Sequence, residues 1–250
     1  MGKEVVGKDG TVLLTKDGKR KDGRKWNELR PLSMEVSILD SPDGSALVEM
    51  GKTKAIAAAY GPSEVHPRHL AREDRAILQT FYRMTPFSVG ERRAPKPSRR
   101  EKEISRVVSN ALQPVLFLER FPGMGISVYG LIIQADGGTR TAVINAASLA
   151  LADAGVGMKD LVSSVAAGVV GEQPILDLNG IEDQNGHADV PIAYIPTKDQ
   201  ITLMQMDGRI PPHLFDECFE LAIKGAKTIY KKQKETLKKK YKRIRKEVKS

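Results

Sequence analysis

The amino-acid sequence predicts an α+β fold in which β-sheets pack on helices. Two observations indicate this fold class. Short β-like runs separated by turns fill the first third of the 250 residues, and helices and strands are then mixed. A doubly wound sheet would instead require strand and helix to alternate throughout. The chain is also long enough to bury a full hydrophobic core.

The elements follow from hydrophobic periodicity and turn signals along the chain. Strands are predicted at 32–39, 45–51, 53–61, 77–88, 125–135, 165–170, 174–178, 188–195 and 200–206. Helices are predicted from a capping box of Ser98 and Glu101 to Val115, at 139–153, at 158–165, and from Pro212 into the C-terminal tail. Residues 61–76 form a polar loop and residues 90–98 a basic, proline-bearing linker.

Composition excludes several classes of protein. The chain is 40% hydrophobic and 28% charged, and no apolar run reaches the roughly 18 residues of a membrane span. Charges in "MGKEVVGKDG" do not fit a secretory signal, so a cytoplasmic protein without a membrane partner is expected. The single cysteine, Cys218, forms no internal disulfide and is predicted to pack in the core.

The basic charge is concentrated at the C-terminus. Residues 231–250 hold 11 Lys/Arg and 2 Asp/Glu, which accounts for the whole net charge of +9. We therefore divide the chain into a flexible N-terminal arm (1–20), a globular domain (20–230) and a basic tail (231–250). The tail would attract a polyanion such as RNA, or it is simply a solvated helix end.

The segment "QADGGTRTAV" (134–143) places two glycines between a strand and a helix. Gly138 allows the backbone to approach an anion closely, and free N–H groups at a helix N-terminus attract negative charge. Thr139 adds a hydroxyl donor, and Arg140 adds a planar partner for phosphate oxygens. An ordinary glycine turn with a threonine cap and an exposed arginine is the alternative.

The segment "GIEDQNGHADVPIAY" (180–194) carries paired carboxylates. Asp183 and Asp189 lie six residues apart across a turn, and Asp189 begins an apolar strand. Two such carboxylates can share a hard cation such as Mg²⁺ or supply a proton. Asp, Asn and Gly also form turns without any chemical role, so the turn alone remains an alternative.

Two further segments carry arginines. In "SRREKEISR", Arg99 and Arg100 occupy the first turn of a helix, where cations oppose the macrodipole, and Arg106 lies about 10 Å further along nearly the same face. Such a row could follow the phosphates of an RNA strand, or it could be a solvated face. Arg68 and Arg72 in "HPRHLAR" could guide an anionic chain, although surface charge alone also explains them.

Four segments together resemble the RNase PH family. "RKDGRKWNELRPLSMEVSILDSPDGSALVEMGKTKAIAAAYGP" (20–62) is similar to the opening of that family. "SRREKEISRVVSNAL", "QADGGTRTAVINAASLALADAG" and "DLNGIEDQNGHADVPIAYIPTKDQITLMQMDG" are similar to its later motifs. The resemblance covers about residues 20–230. "HPRHL" and the lack of other domains most resemble RNase PH-like catalytic subunits of archaeal exosomes, with bacterial RNase PH second.

The resemblance implies a fold of duplicated β-α units, like domain 2 of ribosomal protein S5. It implies phosphorolysis, in which inorganic phosphate removes nucleotides from the 3′ end of RNA as nucleoside diphosphates. It also implies a hexameric ring, a trimer of heterodimers with a related inactive RNase PH-like subunit, and a cap of RNA-binding proteins. The alternatives are a stand-alone enzyme that processes tRNA 3′ ends and a non-catalytic RNA-binding ring subunit.

The resemblance also implies roles for particular residues. The phosphate would bind at Gly138, Thr139 and Arg140. Asp189 would protonate the departing 3′ oxygen or bind Mg²⁺, with Asp183 assisting. RNA would contact the five arginines named above, at 68, 72, 99, 100 and 106. Gln184 and His187 depart from the family's usual Ser and Glu, which weakens any inference about the residues between the two aspartates.

Overall fold

The computed structural model describes residues 4–7, 10–92 and 94–247. The strands are β1 Val5–Val6, β2 Val12–Leu14, β3 Leu32–Val36, β4 Gly44–Met50, β5 Thr53–Glu64, β6 Ile77–Met84, β7 Met124–Gln134, β8 Ser163–Val170, β9 Gln173–Leu176, β10 Ala188–Ile195, β11 Gln200–Met204 and β12 Asp207–Gly208. The α-helices are α1 Arg99–Leu112, α2 Thr139–Asp153, α3 Gly180–Asn185 and α4 Pro212–Glu247. Short 3₁₀ turns lie at Arg68–Leu70, Gln113–Val115 and Leu118–Arg120.

The first sheet has the order β3-β4-β5-β7-β6. Its neighbouring strands are antiparallel except β6 and β7, which run parallel. Along the first seven residues of β5, buried and partly buried positions alternate strictly. This alternation is the pattern of a strand with one face on the core, and the strand predicted at 53–61 is confirmed.

The second sheet has the order β11-β10-β8-β9, with β12 also pairing with β10. All eight residues of β8 are buried, so both faces of this strand are covered. Helices α2 and α4 contact β8. The N-terminal residues Leu13 and Leu14 pack with Ala166, Val170 and Ile175 of this sheet. The N-terminal segment therefore forms part of the cover of the second sheet.

Helix α2 lies between the two sheets and contacts strands of both. Every residue from Thr141 to Leu151 is buried, as expected for its run of small side chains. Asn145 donates to the Ser164 carbonyl at 2.7 Å and accepts from the Ser164 N–H at 2.8 Å, and Gln233 of α4 donates to it at 3.3 Å. This buried polar contact joins α2, β8 and α4. The predicted α+β class with sheets packed on helices is confirmed.

Several predicted elements differ from the structure. The helix expected at 158–165 is absent: Met158 forms an isolated β-bridge with Leu116, and β8 already begins at Ser163. The strand expected at 32–39 ends at Val36, because Ser37 has a φ of 57°, which breaks the extended backbone. The turn expected around Asp183 is the six-residue helix α3. The Asn179 side chain caps this helix, and the sequence did not predict it because Asp, Asn and Gly are also typical of turns.

The structure also differs from the flexible arm expected over residues 1–20. Strands β1 and β2 form an antiparallel pair, and Leu13, Leu14 and Arg20 are buried. The segment is rich in Lys, Gly and Asp, so its composition did not predict packing. Burial of Leu13 and Leu14 nevertheless holds this segment on the second sheet. Residues 1–3 and 8–9 lie outside the described residues.

Helix α4 continues into the segment expected to be a basic tail. Gln233 and Thr236 are buried, and Lys240 Nζ donates to Asp153 Oδ1 at 2.6 Å. The first half of residues 231–250 is thus packed against the domain, while residues 248–250 lie outside the described part, as does Arg93 of the predicted linker. None of the described helices combines the length and apolarity needed to cross a bilayer. Cys218 is buried in the core, as predicted.

Candidate functional site

The turn that leads into α2 requires two glycines, and we call Asp136–Gly138 the glycine turn. Gly137 and Gly138 have φ values of 72° and 63°, in the left-handed region that side chains disfavour. A Cβ at Gly137 would lie 2.6 Å from the Asn179 carbonyl carbon, and one at Gly138 would lie 2.9 Å from Arg30 Nη2. Backbone conformation and close packing both select glycine here.

The N-terminus of α2 has no side-chain cap, in contrast to α1 and α3. Ser98 with Glu101 caps α1, and Asn179 with Glu182 caps α3, each through a complete capping box. Gly138 occupies the corresponding position of α2 and makes no side-chain cap hydrogen bond. The first backbone N–H groups of a helix have no partner within it. At α2 they remain available to an anion.

Thr139 is the first residue of α2, so the alternative of a threonine cap is wrong. Its Oγ1 accepts a hydrogen bond from the Tyr82 hydroxyl at 3.0 Å. Tyr82 lies on β6 and is almost fully buried. The first sheet thereby fixes the orientation of the side chain at the start of α2. The next residue, Arg140, has a buried Nε without a hydrogen-bond partner.

Asp189 faces the same region from the start of β10. Its Oδ1 is buried and has no hydrogen-bond partner. Burial, and secondarily the charge of Asp183, raise the pKa of Asp189 to about 7, while the Arg140 guanidinium acts in the opposite direction. A carboxyl with this pKa holds a proton in about half of the molecules near neutral pH.

Asp183 lies on α3, at the exposed rim of the site. Loss of hydration at its carboxyl raises the pKa of Asp183 above its usual range, although the positive charges of Arg100 and Arg140 oppose the shift. The two aspartates therefore share two arginine neighbours, one from α1 and one from α2. The site therefore combines cations from α1 and α2 with carboxyl groups from α3 and β10.

These groups line one narrow cavity of about 50 Å³, which we call the site pocket. Its lining comprises Arg100, Ile104, Gly138, Thr139, Arg140, Thr141, Ala166, Asp183, Asp189, Pro191 and Asp207. Six residues that the sequence singled out for function converge here: Arg100, Gly138, Thr139, Arg140, Asp183 and Asp189. The larger cavities of the described chain are lined by other residues.

The other predicted arginines lie outside the site pocket. Arg99 and Arg106 are exposed on α1 and do not line the pocket. Successive residues of a helix point about 100° apart, so Arg99 and Arg100 face different directions. Arg68 lies 3.7 Å from Glu64, and Arg72 lies 3.3 Å from Asp74, both at the surface.

Sequence reasoning missed Asp207 as a site residue. It begins β12, where Asp207 is the register partner of Asp189 on β10. Its charge contributes to the raised pKa of both Asp183 and Asp189. The only sequence signal was the Asp-Gly pair at the end of the last family-like segment, "QMDG", and Asp-Gly pairs are ordinary turn formers.

Three carboxylates line the site pocket, and two of them, Asp183 and Asp189, are the predicted metal ligands. Among the described residues, no three His, Cys, Asp or Glu side chains are arranged to hold a metal ion. Mg²⁺ is commonly bound by only one or two carboxylates together with phosphate oxygens and water. The unpaired Oδ1 of Asp189 fits such a shared site and does not fit a cage made of protein ligands alone.

The fold and the site pocket define a class of protein. The chain belongs to the RNase PH, or 3′ exoribonuclease, family: residues 28–157 match "3' exoribonuclease family, domain 1" and residues 160–225 match "3' exoribonuclease family, domain 2". It is 56% identical over 240 residues to "Exosome complex component Rrp41" of Thermococcus kodakarensis, covering 96% of each chain. It is 46% identical to the protein of the same name from Nitrosopumilus maritimus, over 94% of this chain and 97% of that one.

Two solved structures share the fold. The crystal structure of rice Rrp46 superposes with a TM-score of 0.78 at 26% identity, covering 87% of this chain and 100% of that one. A chain of the Archaeoglobus fulgidus exosome, solved with RNA bound to the active site, gives a TM-score of 0.76 at 24% identity, with coverages of 86% and 93%. The predicted RNase PH-like fold and the resemblance to the archaeal exosome subunit are confirmed.

Proposed function

We propose that this chain is a phosphorolytic 3′-to-5′ exoribonuclease that releases nucleoside diphosphates from RNA. The single observation that carries the proposal is that hydrogen-bond donors and a carboxyl oxygen without partners lie side by side at the site pocket. An uncapped helix N-terminus and the unpaired Arg140 Nε offer donors to an anion, beside the unpaired carboxyl oxygen of Asp189. Buried polar groups without partners are rare in native proteins unless a ligand or water completes them.

Phosphorolysis requires positive charge because its two reactants are both anions. Orthophosphate must approach a phosphodiester that is itself negatively charged, and catalysis of phosphoryl transfer rests mostly on positioning and electrostatic stabilisation. Gly138, Thr139 and Arg140 would hold the attacking phosphate at the start of α2. Arg100, which lines the site pocket, would hold the terminal phosphates of the RNA. Arg99 would support the strand from the exposed side of α1.

Asp189 would act as the general acid. The oxygen of orthophosphate attacks the terminal phosphorus, the bond from phosphorus to the preceding 3′ oxygen breaks, and Asp189 donates its proton to that oxygen. A pKa of about 7 suits this transfer, because an effective acid has a pKa close to the working pH. Asp183 and Asp189 would alternatively hold Mg²⁺, whose charge stabilises the departing oxygen.

Exposed cations outside the site pocket would guide the strand. Arg68, Arg72 and Arg106 lie at the surface, where they can contact successive phosphates without reading bases. Aromatic residues make up only 5% of the chain, so base stacking would contribute little. We therefore expect sequence-independent binding that weakens as salt rises.

The relatives suggest an assembly. Two of them carry the name of an exosome complex component, and we extend this association to the present chain. We propose a hexameric ring, a trimer of heterodimers with an inactive RNase PH-like subunit, together with RNA-binding cap proteins and a cytoplasmic location. A non-catalytic ring subunit is less well supported, since the site pocket holds both Asp189 and Arg140. A stand-alone tRNA-processing enzyme is less well supported because these relatives are named as components of a complex.

One experiment tests the activity directly. The full chain, alone and mixed with its RNase PH-like partner, is incubated with 3′-labelled RNA with and without orthophosphate, and the released nucleotide is identified. We expect phosphate-dependent release of nucleoside diphosphate. Release of nucleoside monophosphate, or equal rates without phosphate, would refute phosphorolysis. Deleting residues 241–250 tests the tail, because Gln233, Thr236 and Lys240 contact the domain and must be kept. Loss of function in that variant would show that the tail is the working part.

A further inference from the structure

Three arginines of the family-like opening segment form a buried ionic network that the mechanism does not use. Arg20, Arg24 and Arg30 are each at most 9% exposed. Their acidic partners include Asp177, directly after β9, and Glu182, on α3. Arg20 Nε donates to Glu182 Oε1 at 2.7 Å, and Glu182 also accepts from the Asn179 N–H in the cap of α3. Burying this many charges is costly unless each of them is paired.

Arg30 makes the most complete set of contacts with one partner. Its Nε and Nη2 donate to the two carboxylate oxygens of Asp177 at 3.0 and 2.7 Å, and its backbone N–H donates to Oδ2 at 2.9 Å. Asp177 has a φ of 53° and lies two residues before Asn179, which caps α3. Arg30 is therefore attached rigidly to the segment that leads into the helix carrying Asp183.

The third nitrogen of Arg30 reaches the glycine turn. Nη1 donates to the Asp136 carbonyl at 2.5 Å, and Nη2 lies 2.9 Å from the position that a Cβ on Gly138 would occupy. Thr53 completes the contact, since its hydroxyl donates to the Gly137 carbonyl at 2.7 Å and accepts from the Asp136 N–H at 2.9 Å. One guanidinium thus joins the turn before α2 to the turn before α3.

A second contact joins the same two segments. Asp136 Oδ1 accepts from the Gly180 N–H at 3.1 Å, at the first residue of α3. Arg30 itself is 5% exposed and does not line the site pocket, so it lies behind the glycine turn and away from the reactants. Arg30 can act on the chemistry through the backbone that it holds or through its charge, which opposes the raised pKa of Asp183. Arg30→Lys keeps that charge, so its effect reports on the backbone contacts.

We propose that Arg30 is a positioning residue, which holds the phosphate-binding turn before α2 and the Asp183-bearing helix α3 in register across the site pocket. The assignment rests on the proposed phosphorolysis. Lysine cannot replace the arginine, because an ammonium group lacks the planar fork that binds both carboxylate oxygens and a carbonyl at once. A small displacement of the turn would move the N–H donors away from the attacking phosphate.

The test compares Arg30→Lys and Asp177→Asn with the unsubstituted full chain in its active assembly. Asparagine has the size of aspartate and tolerates positive φ, so Asp177→Asn removes the charge partner with little strain. Lys240→Met is the matched control, because it breaks another ion pair at the opposite end of α2, about 20 Å away. All assays are run at a temperature where circular dichroism shows each variant fully folded.

We expect both test variants to raise KM for orthophosphate by about tenfold or more and to lower kcat, with KM for RNA changed less than about twofold. The effect of the double variant should be close to the larger single effect and clearly below the sum of the two, since both substitutions remove the same contact. Lys240→Met should lower Tm and leave the phosphate KM unchanged. If Arg30→Lys and Asp177→Asn likewise lower Tm alone, the contact is merely structural and the assignment is overturned.

The same assay separates this assignment from the proposed function. Diphosphate release by all variants with unchanged phosphate dependence would remove only the role of Arg30. Monophosphate release by the unsubstituted chain would refute phosphorolysis, and the positioning role in phosphate binding would fall with it.

Discussion

Asp207 lies directly opposite Asp189 in the antiparallel ladder between β12 and β10. Residues opposite each other in such a ladder project from the same face, so the two carboxyl groups are held on one side of the sheet. Both line the site pocket. The backbone register therefore keeps negative charges close together, with Arg140 and Arg100 as the opposing cations.

This arrangement predicts a pH-dependent effect of Asp207→Asn on stability. The pKa of Asp189 is raised from 3.8 to about 7, so its contribution to stability is present in acid and is lost as pH rises through about 7. Removing the Asp207 charge lowers that pKa. We expect the variant to gain free energy of unfolding at pH 8 and little at pH 5, measured by urea unfolding in metal-free buffer.

Asp216→Asn serves as the control for that measurement, because Asp216 is exposed on α4. It removes the same charge from the chain without touching the site pocket. An equal gain at pH 8 in both variants would show that net charge, and not the Asp207–Asp189 relationship, determines the effect.

Asp189→Asn should abolish diphosphate release while leaving RNA binding nearly intact. The amide keeps the shape of the carboxyl and cannot donate the proton, so kcat should fall by roughly 10²- to 10⁴-fold. Single-turnover assays with labelled RNA, together with filter binding, check both expectations. Lost binding with normal turnover of the bound RNA would contradict the assigned role.

Arg140→Ala should raise the phosphate requirement more than the RNA requirement. The guanidinium Nε is buried and unpaired, and a charge-assisted hydrogen bond to phosphate is worth a KM change of roughly 10- to 100-fold. Phosphate titrations at saturating RNA measure it. Lys224→Ala, an exposed cation on α4, is the control. An unchanged phosphate dependence would remove Arg140 from the phosphate site.

Cys218 should resist thiol reagents in the native protein. Burial raises the pKa of its thiol to about 11, and its Sγ lies 3.4 Å from the Gly168 carbonyl. At pH 8 we expect very slow labelling by a disulfide reagent, and complete labelling once the chain is unfolded in urea. Rapid stoichiometric labelling of the folded protein would show that α4 opens readily from the second sheet.

Local patterns predicted much of this protein. The sequence predicted the capping box at Ser98, the helix over 139–153 and the strand at 53–61, because each depends on neighbours a few residues apart. The glycine turn with Arg140 and the two aspartates were predicted as chemistry-bearing segments for the same reason. The family resemblance then placed them in one site.

Contacts between distant segments were decided only by the tertiary structure. Arg30 and Asp177 are 147 residues apart, and Asp207 faces Asp189 through a strand pairing that no local pattern specifies. The burial of Leu13 and Leu14 likewise depends on a sheet formed 150 residues later. Burial of apolar side chains stabilises one of these contacts, and charge pairing offsets the cost of desolvation in the others. Both operate between surfaces that meet only after folding. The sequence by itself therefore determined the secondary structure and the reactive side chains, and only the tertiary structure decided which of them act together.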